Sequence, residues 1–431
     1  MGSGIAECRA DGPGADAALT CAESLVRAGY RRRPPRPLLA GEGGSTLFTS
    51  VADADWRRSL AGSSRPDAGG AVVLQWILNT SRLAALPSAS PPSAGRTVGA
   101  VWVGARPYAA ALRDVMEALG RSGTEVEELT FLLSAEPEDA TRVRRGLLAL
   151  EIARDRVVHS DRLPGAPSRM DPALGPCLTL RRPSGAPLFA HCGPGCVCGC
   201  HASVAHIQFV ERRAKAGRLT AARQPLFEMV ASEHGLTRPD GIGPSAPGGG
   251  VSSLLARLAA DISAVTADAP TEPGPSSVFL ADVSSAAVLL LGEGIAPGPR
   301  GRHHVLRRLI RTIGGELAVH GIPVPLLSQV IDAADATYRI PAGFSPLSVR
   351  SRGHVRDECA AFERVVNRGR EYVMSSGLLS GGPNELARNL VRIRAELGVP
   401  LGLSLRWCRE AGVEPPLASV AFEDLRTRED G

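Results

Sequence analysis

The stretch PRGRHHVLRRLIRT, from Pro299 to Thr312, has the clearest pattern in this chain of 431 residues. It opens with a Pro/Gly turn, and apolar residues then recur at helical spacing from about His304 onward. Four of them would form one buried stripe, namely Val305, Leu306, Leu309 and Ile310. The stretch therefore predicts an amphipathic helix that packs against other helices.

The same stretch carries five arginines, which are Arg300, Arg302, Arg307, Arg308 and Arg311. The first two fall on the turn, near the positive end of the predicted helix dipole, and the other three would stay exposed. Cationic side chains beside a helix N-terminus suit phosphate, so a nucleic-acid contact is one interpretation of the pattern. A solvated helix face in an arginine-rich protein is the other, and the pattern alone favours it.

The rest of the chain after Gly250 continues the helical periodicity. The predicted helices are Val251–Val265, Leu280–Leu291, Val305–Ala318, Leu326–Tyr338, Val355–Met374, Pro383–Leu397 and Pro400–Ala411. A Pro/Gly-rich segment, DGIGPSAPGGG from Asp240 to Gly250, precedes them and is typical of a linker. We therefore predict two domains, 1–240 and 251–431, of which the second is all-helical.

The first domain mixes short strands with helices. Val72–Leu78, Val98–Val103 and Leu129–Leu133 are β-type runs, whereas Pro107–Leu119 and Glu136–Arg154 show helical spacing. Strands and helices do not alternate regularly, so the pattern favours an α+β fold over a doubly wound parallel sheet.

The composition excludes some classes of phosphate site. The chain has 48 arginines and one lysine, Lys215, which stands in Ala-Lys-Ala, so no G-K-[ST] phosphate loop is present. The net charge of +5 is too small to establish a nucleic-acid partner by itself. The position of individual arginines is therefore more informative than their number.

The N-terminal segment from Met1 to Asp16 is polar and glycine-rich, so we expect no secretory signal. The longest apolar run, from Val278 to Leu291, is interrupted by polar residues and is short for a bilayer span, which needs about 20 residues. With an odd number of cysteines, nine, these features predict a reducing, cytoplasmic compartment and no membrane partner.

Five of the nine cysteines fall between Cys177 and Cys200. Within this segment the spacing C-x3-C-x-C-x-C-H could supply a tetrahedral zinc site, and glycines would let the chain turn tightly. The candidate ligands are Cys192, Cys196, Cys198, Cys200 and His201. Reduced cysteines on a glycine-rich turn, without a metal, are the alternative.

The segment from Ala281 to Arg311 resembles the tRNA-recognition domain of alanyl-tRNA synthetases. That family has an A-D-H-I-R helix followed by an N-R-G-Y-V-L-R-R-I-I-R-R helix. The matching positions are Ala281, Asp282, Arg302, Val305, Leu306, Arg307, Arg308, Ile310 and Arg311. Glu358 to Tyr372 and Val391 to Gly412 resemble later helices of the same family.

The first half resembles the class II catalytic core of the family in the same order. Gln75 falls in a Q-x-x-x-R strand, and Gly99 and Gly104 match two glycines of motif 2. Asp171 begins a segment similar to D-T-G-P-C, and Glu228 stands where the family has the acid that holds the substrate ammonium. The resemblance implies an antiparallel sheet with flanking helices, and ATP with Mg²⁺, an amino acid and tRNA as ligands. It stops where the editing and C-terminal domains of the family would begin, so we expect neither domain here.

Several departures from the family concern the ATP site. Class II enzymes clamp the phosphates with one arginine in motif 2 and one in motif 3, where this chain has Ser90 and His234. Arg96 lies close to the first position and is a candidate substitute. Our catalytic candidates are therefore Arg96, Glu228 and His234.

Two further departures concern tRNA identity, because Gly301 and Ala395 replace the side chains that read the acceptor stem in the family. Arginines that would contact phosphate remain, and phosphate contacts position a nucleic acid without specifying its sequence. Two functions follow. One is a ligase that activates an amino acid with ATP and transfers it to tRNA or another acceptor. The other is a catalytically degenerate module that binds tRNA, or aminoacyl-tRNA, for a partner enzyme.

Overall fold

The structure, a computed structural model, describes residues 16–39, 48, 69–79, 93–161, 163, 171–184, 190, 192–196, 200–215, 218–236, 253–267, 274–375, 379, 381–421 and 423. The described residues form two compact units, one within 7–253 and the other within 254–431. The predicted linker, Asp240–Gly250, lies outside the described residues.

Within the described residues of the first unit, eight strands form one sheet. They are β1 (Tyr30–Arg32), β2 (Gly69–Leu78), β3 (Ala94–Val103), β4 (Thr130–Ser134), β5 (Val157–His159), β6 (Cys177–Pro183), β7 (His201–Lys215) and β8 (Arg218–Ser232). The order across the sheet is β1-β2-β3-β8-β7-β6-β4-β5.

The six central strands pair antiparallel, whereas β1 and β5 pair parallel to β2 and β4 at the two edges. The connection from β4 to β5 runs through a helix, which is how parallel neighbours are usually joined. The sheet is therefore mixed. The predicted α+β class and the antiparallel sheet with flanking helices are confirmed, and the parallel edge strands are an addition.

The helices of this unit are α1 (Ala17–Arg27), α2 (Tyr108–Arg121), α3 (Pro137–Leu148) and α4 (Glu233–Leu236), with 3₁₀ turns at Val126–Glu128, Arg154–Arg156 and Pro172–Leu174. Apolar residues of α1, α2 and α3 pack on one face of the sheet. Leu25, Leu112 and Val143 are fully buried there, together with Val98 and Phe227 from the strands. Burial of these side chains stabilises the unit by about 1.5–3 kcal/mol each.

The second unit is helical throughout its described residues. Its α-helices are α5 (Ser253–Val265), α6 (Ser277–Gly292), α7 (Gly301–Val319), α8 (Leu327–Ala334), α9 (Val349–Ser375), α10 (Pro383–Leu397) and α11 (Leu401–Glu410). A 3₁₀ turn, Val324–Leu326, precedes α8, and a π-helical turn, Asp335–Arg339, follows it. Among the described helices, none combines the length and the hydrophobicity of a membrane span.

Helix α7 lies at the centre of the packing in the helical unit. Leu306, Leu309 and Ile310 are buried as the sequence predicts, whereas Val305 is half-buried. A Cβ on Gly314 would lie 2.9 Å from the Phe362 ring of α9, so the ring packs directly on the α7 backbone. Helices α7 and α9 can therefore approach closely at this point because Gly314 has no side chain.

Gly175 provides a test of the fold in the sheet unit. Its φ of 145° is rarely adopted by other residues, and a Cβ there would collide with the carbonyl oxygen of Phe209. We expect Gly175→Ala to lower the free energy of unfolding by about 3 kcal/mol or more, because the cost of the backbone strain adds to the cost of the overlap between the Cβ and the carbonyl oxygen. Chemical denaturation followed by circular dichroism measures this change.

Gly95→Ala is the matched control, because Gly95 also lies in the sheet unit and a Cβ there meets nothing within 4 Å. We expect its free energy of unfolding to stay within about 1 kcal/mol of the unmodified chain. Equal stability of the two variants would contradict the described path of the chain at Gly175.

Candidate functional site

One face of the sheet carries buried polar side chains, and we call it the polar face. Side chains along a strand alternate between faces, and the pairing register places these residues on the face opposite the helices. They are Gln75, Thr97, Cys177, Thr179, Arg181, His206, Gln208 and Glu228, each at most 8% exposed. Buried polar groups are retained where they have partners, so this face is suited to specific polar contacts.

Glu228 lies in β8 near the middle of the polar face, opposite Val101 of β3 and Gln208 of β7. The Gln208 side-chain amide donates to the main-chain oxygen of Asp171 at 2.8 Å. Cys177 of β6 stands opposite Gln208 on its other side. The structure therefore brings together two predicted pocket residues, Asp171 and Glu228.

Asp171 and Glu228 bring two carboxyl groups to this point of the face. Burial, followed by the charges of Asp171 and Glu228, raises the pKa of the Cys177 thiol to about 12. The thiol is therefore protonated at neutral pH and is not a nucleophile. Two carboxylates close to a buried neutral group can instead attract a cation such as an ammonium group.

Gln75 and Gly99 share the polar face with Glu228. The Gln75 amide pairs with the main chain of Arg36, because Oε1 accepts from Arg36 N at 2.7 Å and Nε2 donates to Arg36 O at 2.8 Å. Gly99 stands opposite Val230 of β8. Gln75 therefore fixes the segment that follows β1 over the edge of the polar face.

Gly104 lies elsewhere, at the end of β3. Its amide donates to the Pro225 carbonyl at 2.9 Å, and it lines a cleft of about 480 Å³ that also contacts Arg106, Arg142 and Glu211. Arg142 Nη1 donates to a carboxylate oxygen of Glu211 at 3.0 Å on the rim. The residues predicted for one pocket are therefore divided between the polar face and this cleft.

Arg96 does not lie on the polar face. It pairs with Trp76, and its guanidinium donates to Asp16 at 2.6 Å and to Glu233 at 2.7 Å on the helix-covered side. These two carboxylates raise the pKa of Arg96 against the effect of its burial. This placement does not support Arg96 as a phosphate clamp. His234, the third catalytic candidate, lies half-buried in α4 next to Glu233.

The five arginines of the opening stretch lie at the start of α7 or along it. Arg300 and Arg308 are exposed and Arg302 is half-buried, and Arg300 occupies the N-cap position. The prediction that Arg307 and Arg311 stay exposed is wrong. Both are half-buried, because each donates through Nε to one carboxylate oxygen of Glu358 in α9, at 3.3 Å and 2.6 Å.

The sulfur atoms of Cys192, Cys196 and Cys200 lie within 4.8 Å of one another in the segment that joins β6 to β7. His201 Nδ1 lies 3.2 Å from Cys200 Sγ. Burial and the charge of Arg181 lower the pKa of this imidazole. Three predicted ligands, Cys192, Cys196 and Cys200, therefore come together, and His201 lies next to Cys200. The fifth, Cys198, lies outside the described residues.

Sequence reasoning missed most residues of the polar face, including Thr179, Arg181 and His206. Thr179 Oγ1 and His206 Nδ1 are 3.0 Å apart, and Arg181 is buried at the end of β6. The signal was present, since Cys177, Thr179 and Arg181 alternate with leucines at the period of a strand. The strand itself was not predicted, so the alternation was not used.

Comparisons with known proteins agree with the sequence resemblance. Over 155 aligned residues the chain is 30% identical to the alanine–tRNA ligase of Mycobacterium tuberculosis, and over 157 residues it is 27% identical to that of Kineococcus radiotolerans. The chain is similar to alanine–tRNA ligases over about a third of its length. The alignment spans only 16–17% of the length of these ligases, which fits a partial or divergent relative.

No family model matches the chain. Among solved structures, the histidyl-tRNA synthetase of S. aureus is 10% identical with a TM-score of 0.34, and the match covers 51% of this chain and 63% of that one. The RNA binding domain of threonyl-tRNA synthetase from Cryptosporidium parvum is also 10% identical, with a TM-score of 0.31 and coverage of 52% and 66%.

The placement of Arg96 gives a testable prediction. Arg96→Ala removes the cation between Asp16 and Glu233, which are partly exposed, so we expect the free energy of unfolding to fall by about 1–3 kcal/mol. Denaturant titration measures this loss. Arg113→Ala, which removes an exposed arginine of α2, is the control and should change stability by less than about 0.5 kcal/mol. An Arg96→Ala chain of unchanged stability would contradict a structural role.

Proposed function

We propose that this protein is an alanyl-tRNA synthetase-like protein that binds tRNA through its helical unit and an amino acid, or the aminoacyl end of tRNA, on the polar face. Domain 1–240 would be the synthetase-like core and domain 251–431 the tRNA-recognition domain. The observation that carries the proposal is the set of arginines at the N-terminal part of α7, within a chain similar to alanine–tRNA ligases. A tRNA ligand would place the protein in the cytoplasm.

The arginines divide into two groups that would act differently on tRNA. Arg300 and Arg302 offer cationic side chains at the N-terminus of α7, where the helix dipole also favours phosphate, and Arg308 offers another about two turns further along. Arg307 and Arg311 are held by Glu358, so their guanidinium groups are already ordered. The first group would supply electrostatic attraction and the second a fixed geometry for phosphate.

The polar face supports an amino-acid site. Glu228 and Asp171 give it negative charge, and the neighbouring amide of Gln208 is fixed by its bond to Asp171. An ammonium group is recognised by carboxylates through charge-assisted hydrogen bonds. Glu228 is therefore the residue that we assign to the substrate ammonium.

The two arginines considered for an ATP site are engaged by other groups. Arg96 is held by Asp16 and Glu233, and Arg181, the arginine on the described polar face, donates to main-chain carbonyls. Neither is placed to clamp the phosphates of ATP with Mg²⁺ as the family chemistry requires. This observation favours a tRNA- or aminoacyl-tRNA-binding module that serves a partner enzyme. The ligase, supported by Glu228, is the second candidate.

The tRNA surface is tested with Arg308→Ala. The exposed guanidinium would contact phosphate, so its loss should weaken tRNA binding on the order of fivefold at moderate salt and lower the salt slope by about one. Fluorescence anisotropy over a series of salt concentrations measures both. Arg388→Ala removes an exposed arginine of α10 and should leave both quantities unchanged. If the unmodified chain binds no tRNA at low salt, the proposed function is wrong.

The choice between ligase and module is tested by pyrophosphate exchange with a panel of amino acids that includes alanine and serine. If the protein is a module, exchange should stay at background for every amino acid. Exchange that requires one amino acid and falls by about a hundredfold or more in Glu228→Gln would establish the ligase instead, because the variant loses the charge that holds the ammonium. Gln75→Glu is unsuitable as a control, because the Gln75 side chain holds another segment of the main chain in place. Arg113→Ala removes an exposed side chain and should leave exchange unchanged.

A further inference from the structure

We propose that Cys192, Cys196, Cys200 and His201 bind one zinc ion that fixes the connection between β6 and β7, and that the buried Arg181 balances the charge of this site. The proposal is independent of tRNA or amino-acid binding. It rests on the sulfur geometry, on the adjacent imidazole and on the contacts of Arg181.

The sulfur geometry matches a thiolate site. Cys192 Sγ and Cys196 Sγ are 3.9 Å apart, and the three sulfur atoms of the cluster lie within 4.8 Å of one another. Zinc–sulfur bonds of about 2.3 Å in a tetrahedron require sulfur atoms about 3.8 Å apart. A disulfide would need about 2.05 Å, so the separation fits a shared ion rather than a bond between the two cysteines.

The fourth ligand is the imidazole that follows Cys200. His201 Nδ1 lies 3.2 Å from Cys200 Sγ, and we assign it as the ligand that would complete the site after its side chain rotates toward the three sulfur atoms. The backbone is already turned tightly at the first two ligands, since Cys196 N donates to Gly193 O at 2.9 Å. A Cβ on Gly193 would meet nothing within 4 Å, so the turn leaves open space around it.

Arg181 provides an independent observation. Its side chain is buried at 4% exposure, and Nη1 donates to the carbonyl oxygens of Pro194 and Cys196 at 2.6 Å each. Nη2 donates to the carbonyl oxygen of His201. A buried cation that binds three carbonyls of one loop holds the backbone of the ligands in place.

The charges of the site balance with Arg181 included. Three thiolates, one neutral imidazole and Zn²⁺ have a net charge of −1, which is costly to bury without a cation nearby. Arg181, at the end of β6, supplies that cation through its contacts with the loop. Its burial therefore has an electrostatic reason when zinc is bound.

The site would be structural. Four protein ligands close the coordination sphere, and structural zinc sites are of this kind. Arg181 follows Thr179 on the polar face, and Thr179 contacts His206 at 3.0 Å. The ion would therefore hold β6 and β7 in register next to the polar face.

The first test is the metal content of the full chain purified from zinc-supplemented medium. We expect about one equivalent of zinc by mass spectrometry of the metal. Replacement by Co²⁺ should give the intense visible absorption of a tetrahedral ion and thiolate-to-cobalt charge transfer. Zinc well below one equivalent, or a disulfide between Cys192 and Cys196 in protein prepared without oxidant, would overturn the proposal whatever the outcome of the tRNA assays.

The second test uses variants. Cys192→Ser and Cys200→Ser should lower the bound zinc to about a tenth, whereas Cys359→Ser and Cys408→Ser, which change buried cysteines of the helical unit, should retain it. His201→Ala should weaken zinc binding and change the cobalt spectrum. If Cys198→Ser does so and His201→Ala does not, the assignment of His201 is wrong. Arg181→Met should retain zinc but release it to a chelator at least about tenfold faster.

Discussion

The alternation of side chains across six antiparallel strands is the constraint on which the first unit depends. A residue shifted by one position along a strand would exchange its face, so the register must satisfy both faces at once. In β6, Leu178 and Leu180 pack against the helices. The alternating residues Cys177, Thr179 and Arg181 belong to the polar face on the other side of the sheet. The core and the candidate site are therefore two consequences of the same pairing.

Much of the fold could be predicted from the sequence, because helical periodicity is a local signal. The helix predicted at Pro383–Leu397 has those bounds in the structure, and the one predicted at Val305–Ala318 differs by a few residues. The strands β6, β7 and β8 were missed. Their runs are interrupted by polar residues such as His206, Gln208 and Glu228, and only the assembled sheet shows that these face a common side.

The candidate site shows the same limit. Asp171 and Glu228 could be chosen from their resemblance to family positions, and the structure brings them together. Arg96 was chosen because it is close in sequence to a missing arginine. Thr97 lies on the polar face, and Arg96, as the preceding residue of the same strand, lies on the opposite face. Sequence distance does not carry that information, since neighbouring residues of a strand point in opposite directions.

The arginines of this chain owe their different behaviour to the carboxylates that surround them. Arg96 is held by two acids, whereas Arg307 and Arg311 share one.

Because Glu358 contacts two guanidinium groups with one oxygen, it halves the positive charge that they present while it orders both of them. Glu358 therefore weakens the long-range attraction between α7 and an anion, and at the same time it fixes the positions of the two guanidinium groups that would contact the anion at short range. If α7 binds an anionic partner as proposed, Glu358 on α9 would lower the rate of encounter and improve the fit of the final complex.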